Sequence, residues 1–291
     1  MTSLIVKKLD GSLLFDTSKI TYGLVKSGNL AYISNWGRRS LKSTGLDKND
    51  GNSWTAPTEI VANDNSLDIM HGFTLANFKS PIVFLVGPGC LSGTTQSGAN
   101  ITFYYVNASP STKYYCFDLM ADNIAGSPYL KTYDSSGVLT FNSLQPALNV
   151  VGSQSPPAPS AGLVYSGGTN QMLQTSGTSA SGRIIYPRAQ CTFTYNLTAG
   201  VEYAAYLPWS RGCGLTIGTD LSPIAQASNS GCGEGVYGGT GFIRFMMANS
   251  AASTYDTQIL AVNGYQWQNI PTDRYPTALI IRTANLPFPF G

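Results

Sequence analysis

The sequence predicts an all-β protein built as two β-sandwich-like domains, and three observations carry that expectation. Short apolar runs recur along the 291 residues, each bounded by Gly, Pro, Asn or Ser. Helical periodicity over ten or more residues is absent from the first half. A Pro- and Ser-rich stretch, SQSPPAPS at 153–160, interrupts the chain near its middle.

Taken in order, the strands expected in the first half cover residues 3–8, 13–15, 23–25, 82–86, 101–106, 114–120, 138–141 and 148–151. Those of the second half cover 163–165, 182–186, 191–195, 202–208, 241–247, 257–262, 265–269 and 278–282. Short strands at such spacing, joined by Gly and Pro turns, pack as sandwiches or partly open barrels. The apolar run IVFLV at 82–86 is strand-sized and falls far short of the ~20 residues a membrane helix needs, so no membrane insertion is expected. Residues 38–66 are too polar for a core and read as a long surface loop. Proline cannot sit in a central strand, which makes 153–160 the expected linker between an N-terminal domain (1–152) and a C-terminal one (161–291). All nine lysines precede that stretch, and the six basic residues after it are all arginine, so the two surfaces differ.

Composition narrows the function classes. Charged residues make up 11% of the chain, less than half the roughly 25% usual for soluble domains. Gly, Ser, Thr, Asn and Tyr supply the surface instead. A net charge of +2 with pI near 8.2 lacks the basic excess that neutralises a phosphate backbone, so nucleic acid is not an expected partner. The opening residues hold no apolar run long enough for a secretory h-region, and export by that route is not expected.

One pattern occurs twice. DGSLLFDT at 10–17, followed six residues later by Leu24 and Val25, matches SGVLTFNS at 136–143, followed at the same distance by Val150 and Val151. Gly supplies the turn of a hairpin, Phe anchors its second strand, and Asp or Asn with Thr or Ser turns the chain into a return strand.

These segments, DGSLLFDT with YGLV at 22–25, and LKTYDSSGVLTFNS at 130–143 with LNVV at 148–151, resemble segments of minor tail proteins of bacteriophages. The strand YCFDLM at 115–120 fits the same pattern, and the resemblance covers roughly residues 1–152. It implies a structural component of the virion tail, at the tail tip, baseplate or fibre attachment point, made in the cytoplasm of the bacterial host. Its implied partners are other phage tail proteins and further copies of itself, a trimer being one such state, with a host cell-surface receptor for the distal domain. A tail-associated glycan-degrading enzyme and a soluble carbohydrate-binding module are the alternatives.

Catalytic patterns are weak, and the expectation is a non-enzyme without metal or cofactor. His71 is the single histidine, so a Ser–His–Asp or Cys–His arrangement would have to use it. GCLSG at 89–93 has its Ser in the wrong place for a nucleophile elbow. The carboxylates of the second half, Glu202, Asp220, Glu234, Asp256 and Asp273, lie in no recognisable glycosidase context. DKNDG at 47–51 fails calcium-loop spacing, with Thr58 at the twelfth position. Five cysteines without a CxxC pair read as buried thiols, with a Cys213–Cys232 bridge as the alternative.

The binding expectation rests on aromatic residues. The glycine cluster GCGEGVYGGTG at 231–241 reads as a mobile surface loop carrying Tyr237. Together with Trp209, Tyr265 and Trp267 it makes a candidate patch for a sugar or a protein partner. The apolar tail LPFPFG at 286–291 adds Phe288 and Phe290, docked on its own domain or on a neighbouring subunit.

Overall fold

The structure is a computed structural model that describes residues 5–7, 9–11, 13–16, 21–37, 39–40, 46–47, 50–53, 67–122, 124, 126–174, 177–178, 184–185, 188–219, 226–250, 254–259 and 264–291. The all-β expectation holds: among the described residues the one helical element is a 3-10 turn at Gly51–Ser53.

The chain opens with a hairpin, β1 (Ile5–Lys7) and β2 (Leu13–Asp16). Next come β3 (Tyr22–Asn29), β4 (Ala31–Gly37), β5 (Arg39–Ser40), β6 (Leu67–Ala76), β7 (Ile82–Val86), β8 (Cys90–Ser97), β9 (Asn100–Val106) and β10 (Lys113–Leu119). A second hairpin, β11 (Lys131–Tyr133) and β12 (Leu139–Asn142), leads into β13 (Val150–Gln154), β14 (Thr169–Gln174), β15 (Gly177–Thr178), β16 (Ile184–Ile185), β17 (Arg188–Asn196) and β18 (Tyr203–Tyr206). The last six are β19 (Gly212–Thr219), β20 (Gln226–Gly239), β21 (Phe242–Asn249), β22 (Thr254–Ile259), β23 (Gly264–Gln268) and β24 (Ala278–Arg282).

The strand order repeats. In the first half β3, β10 and β7 pair in that order, against a second sheet ordered β4-β6-β9-β8. In the second half β13, β24 and β18 pair in the same way, against strands ordered β14-β17-β21-β20. Each set is preceded by a hairpin of the same register: Val6 opposite Phe15 and Lys7 opposite Leu13 in one, Thr132 opposite Phe141 and Tyr133 opposite Leu139 in the other. Gly11 and Gly137 hold their turns at φ 83° and 79°, a region that a Cβ disfavours. The repeated sequence pattern is thus a repeated structural module. Residues 153–160 begin inside β13 and end at the bridge between Ser160 and Leu163, so β13 belongs with the second module.

A core lies between the sheets of each module, and that of the first is completed by the second. Phe73 stacks on Tyr114 and Phe103 between the two sheets of the first, and Phe245, Ile243, Tyr203 and Ile280 fill the second. The modules meet where β7 pairs with β18 at Leu85 and Ala205, and touches β20 at Val86 and Gly238. Tyr237, Met246 and Ala248 of the second module pack into the core of the first, and a third cluster joins Leu24, Phe84, Val86 and Phe117 to Ala204 and Ile281. That explains why IVFLV is apolar without alternation: Val83 and Leu85 face one core, Phe84 and Val86 another, as in strands covered on both faces. The tail lies over this third cluster. Leu286 and Phe290 pack on it, and Phe290 exchanges backbone hydrogen bonds with Ser27 at 2.8 and 3.1 Å.

One expectation is corrected. Residues 231–239 are the second half of β20, which turns at 240–241 into β21, and Tyr237 is buried with 6% of its surface exposed. The glycines are there for close approach. A Cβ on Gly238 would lie 1.9 Å from the carbonyl oxygen of Tyr203, and one on Gly235 2.6 Å from that of Gly89. Of the expected loop at 38–66, β5 and the 3-10 turn are ordered elements, and most of the remainder lies outside the described residues.

Candidate functional site

The second module adds to the common plan. Where a three-residue connection, 87–89, joins β7 to β8, the second module inserts β19 between β18 and β20, and it inserts β22 and β23 before β24. β19 pairs with β20 and β23, and β20 also pairs with β22. The loops 207–211 and 269–277, at the two ends of this addition, face each other across a cleft of about 460 Å³ lined by Trp209, Ser210, Arg211, Gly212, Pro271, Asp273 and Arg274.

An ion pair beneath the cleft fixes its shape. The Arg211 Nε donates to Glu234 Oε2 at 2.9 Å, and Nη2 donates to Oε1 at 2.7 Å, with both side chains fully buried. Tyr165 donates its hydroxyl to Glu234 Oε1 at 2.9 Å. The third arm of the guanidinium, Nη1, donates to the carbonyl oxygen of Pro271 at 3.3 Å, and the group sits 4.9 Å from the centroid of the Tyr275 ring. One buried arginine therefore ties strand β20 to the loop that forms the far wall. Burial works against the Arg211 cation, but the Glu234 carboxylate outweighs it and raises its pKa further. Burial, reinforced by Glu234, pushes the Tyr165 phenol well up. Charge-assisted, two-point geometry of this kind holds a side chain in one orientation.

Above this floor Trp209 keeps 42% of its surface exposed. Asp273 and Arg274 stand at the rim, largely in solvent and 3.5 Å apart. On the other side of the ion pair lies a second cavity of about 130 Å³, lined by Val83, Leu85, Phe103, Tyr105, Tyr206 and Glu234 among others; Ser210 lines both.

The aromatic residues expected to form one patch are dispersed. Trp209 alone lies in the cleft. Tyr265 and Trp267 sit on β23, half-buried against the second core, and the Trp267 Nε1 donates to Asn170 Oδ1 at 3.0 Å. Tyr237 is buried, with Arg244 near its ring and hydroxyl. Phe288 is partly exposed on the tail, 5.5 Å from the Lys113 ammonium and 5.8 Å from the Tyr115 ring, while Phe290 is half-buried. Sequence reasoning missed Arg211 and Arg274, and it set Glu234 and Asp273 aside as carboxylates without a recognisable context. A faint signal existed in PTDR at 271–274, where two of four residues are charged in so uncharged a chain.

The residues weighed for chemistry are scattered through both modules. His71 lies on β6 between Tyr32 and Tyr105, with Nδ1 buried and without a hydrogen-bond partner among the described residues, and burial lowers its pKa. Glu202 accepts from Lys113 at 2.9 Å and from the Thr283 hydroxyl at 2.7 Å. Burial acts to raise its carboxyl, but these two donors hold it below its ordinary value. The side chains of Asp220 and Asp256 lie outside the described residues. Cys213 and Cys232 are directly opposed on β19 and β20 with no disulfide between them. Burial, with Glu234 adding to it, pushes the Cys90 thiol up to about 12. No group of three His, Cys, Asp or Glu side chains among the described residues is placed to hold a metal ion. Comparison with family models, with curated proteins and with solved structures gives no match.

Proposed function

We propose that this protein is a structural component of a phage virion tail that acts by assembly and by binding, with the second module turned toward a partner or the host surface. The observation that carries the reading is the pair of hairpins. The two segments that resemble phage tail proteins fold in one register, each at the head of a sandwich with the same strand order. Repetition of a rigid module suits a part whose work is to present surfaces. The second hairpin supports an assembly role, because Tyr129, Leu130, Tyr133 and Val138 all leave large apolar surface in solvent. Other tail proteins and further copies of the chain are the partners proposed for it.

The test is immunogold labelling of purified virions with an antibody against this chain. Label confined to the tail is the expected result. Particles that carry no label, while the chain remains in the soluble fraction of infected cells, would refute it. That outcome would favour a soluble carbohydrate-binding module, the reading to which the exposed Trp209 in its cleft also lends support.

A further inference from the structure

We infer that the Trp209 cleft binds an uncharged pyranose unit of a glycan. The inference deepens the reading above, since it rests on the second module's being a binding module and names the ligand class.

The first argument is size and position. A cleft of about 460 Å³ falls within the ~300–1,000 Å³ typical of small-ligand sites. It is built from loops on strands that the first module lacks, so the addition coincides with the cleft.

The second argument is charge. The Arg211 guanidinium is neutralised by the Glu234 carboxylate in a fully buried pair, and at the rim Arg274 is offset by Asp273. The cleft therefore offers no net charge to attract a phosphate, a sulfate or a polyanion. What remains is one aromatic face, a hydroxyl at Ser210, a carboxylate and a guanidinium. A pyranose ring matches that set: its C–H face stacks on an indole, while adjacent hydroxyls take two-point hydrogen bonds from a carboxylate or a guanidinium. The Asp273–Arg274 contact is single and 3.5 Å long, and both side chains are more than 70% exposed, so hydroxyls can replace it at little cost.

The third argument is rigidity. Glu234 fixes Arg211, and Arg211 holds Pro271 by a hydrogen bond and stacks near Tyr275. The wall carrying Asp273 and Arg274 is thus placed before a ligand arrives, which spares the ordering cost that weakens binding to mobile loops.

The experiment is a titration of the full chain followed by the indole N–H resonances of its four tryptophans. The probes are methyl α-D-glucopyranoside, methyl α-D-mannopyranoside, methyl β-D-galactopyranoside and, as a charged comparison, a methyl sialoside. Trp209→Phe assigns one resonance by its loss. The expected result is a saturable shift of the Trp209 resonance with at least one neutral glycoside, and weaker or no response to the sialoside. Trp209→Ala should weaken binding, followed by ligand-observed saturation transfer, at least about tenfold, the loss that truncating a central aromatic contact brings. The other three indole resonances should stay in place, showing that the variant is folded. No saturable shift with any neutral glycoside, equal binding by Trp209→Ala, or tighter binding of the sialoside would overturn the inference. Tail labelling without a glycoside response would sink this inference and leave the tail reading standing, whereas a glycoside response without tail labelling would do the reverse.

Discussion

Replacing Arg211 with Met keeps most of the side-chain volume and removes the guanidinium that faces Glu234. The native pair has two charge-assisted bonds at 2.9 and 2.7 Å inside a fully buried environment. At an effective dielectric near 20, unit charges about 4 Å apart interact by roughly 4 kcal/mol, and breaking a buried pair on one side costs about 3–5 kcal/mol. That is a large part of the ~5–15 kcal/mol by which folded domains are stable. The double variant Arg211→Met, Glu234→Met leaves no orphaned charge. Its expected cost is about 1–3 kcal/mol, mainly from the Tyr165 hydroxyl and the Pro271 carbonyl left without their partners. The assay is urea unfolding at pH 7 followed by tryptophan fluorescence, with the midpoint and slope compared across both single variants and the double. A single-variant loss under about 1 kcal/mol, or a double-variant loss equal to the sum of the singles, would refute the account of the pair as coupled and buried.

Four further outcomes are expected. His71 has a pKa below 6.5 in the folded state because burial disfavours the imidazolium; the unfolded chain then binds the proton first, so stability is full above pH 6.5 and falls as pH drops below it. The slope should reach at most about 1.4 kcal/mol per pH unit, and His71→Phe should flatten the urea midpoint between pH 7 and 5.5. Removing residues 286–291 strips Leu286 and Phe290 from the third cluster and two backbone bonds from Ser27, an expected loss of about 2–4 kcal/mol by urea titration. Fragments 1–152 and 153–291, expressed apart, should each fail to give a cooperative thermal transition, because two of the three cores draw on both; two-state melting of either alone would contradict that. Gly238→Ala places a Cβ 1.9 Å from the Tyr203 carbonyl oxygen, and should cost about 3 kcal/mol or reduce soluble yield.

Much of the fold was readable from the residues. The period of short apolar runs gave the class, and the G-x-x-x-F-[DN]-[TS] echo marked two hairpins that the structure shows in one register. The failures have physical reasons. Glycine serves both positive φ and close backbone approach, and sequence does not separate the two. Gly11 and Gly137 are the first kind, while Gly235 and Gly238 are the second, so a cluster resembling a loop is a strand at the junction of two modules. The Pro/Ser stretch marks the neighbourhood of the change from one module to the next, but not that β13, which overlaps its start, pairs with β24 more than 120 residues further on. Such pairing leaves no local mark. The cleft was half visible: Trp209 was singled out as an aromatic candidate, whereas the residues facing it come from a loop beyond residue 268 that only the β19–β23 pairing brings near.

The account turns on β20 being a central strand, since it joins the modules and carries Glu234 beneath the cleft. Amide hydrogen exchange over residues 231–239 measures this directly. Protection comparable to that of the paired residues 242–249 is predicted. Exchange at the rate of an open glycine-rich loop would contradict the fold, the ion pair and the cleft together.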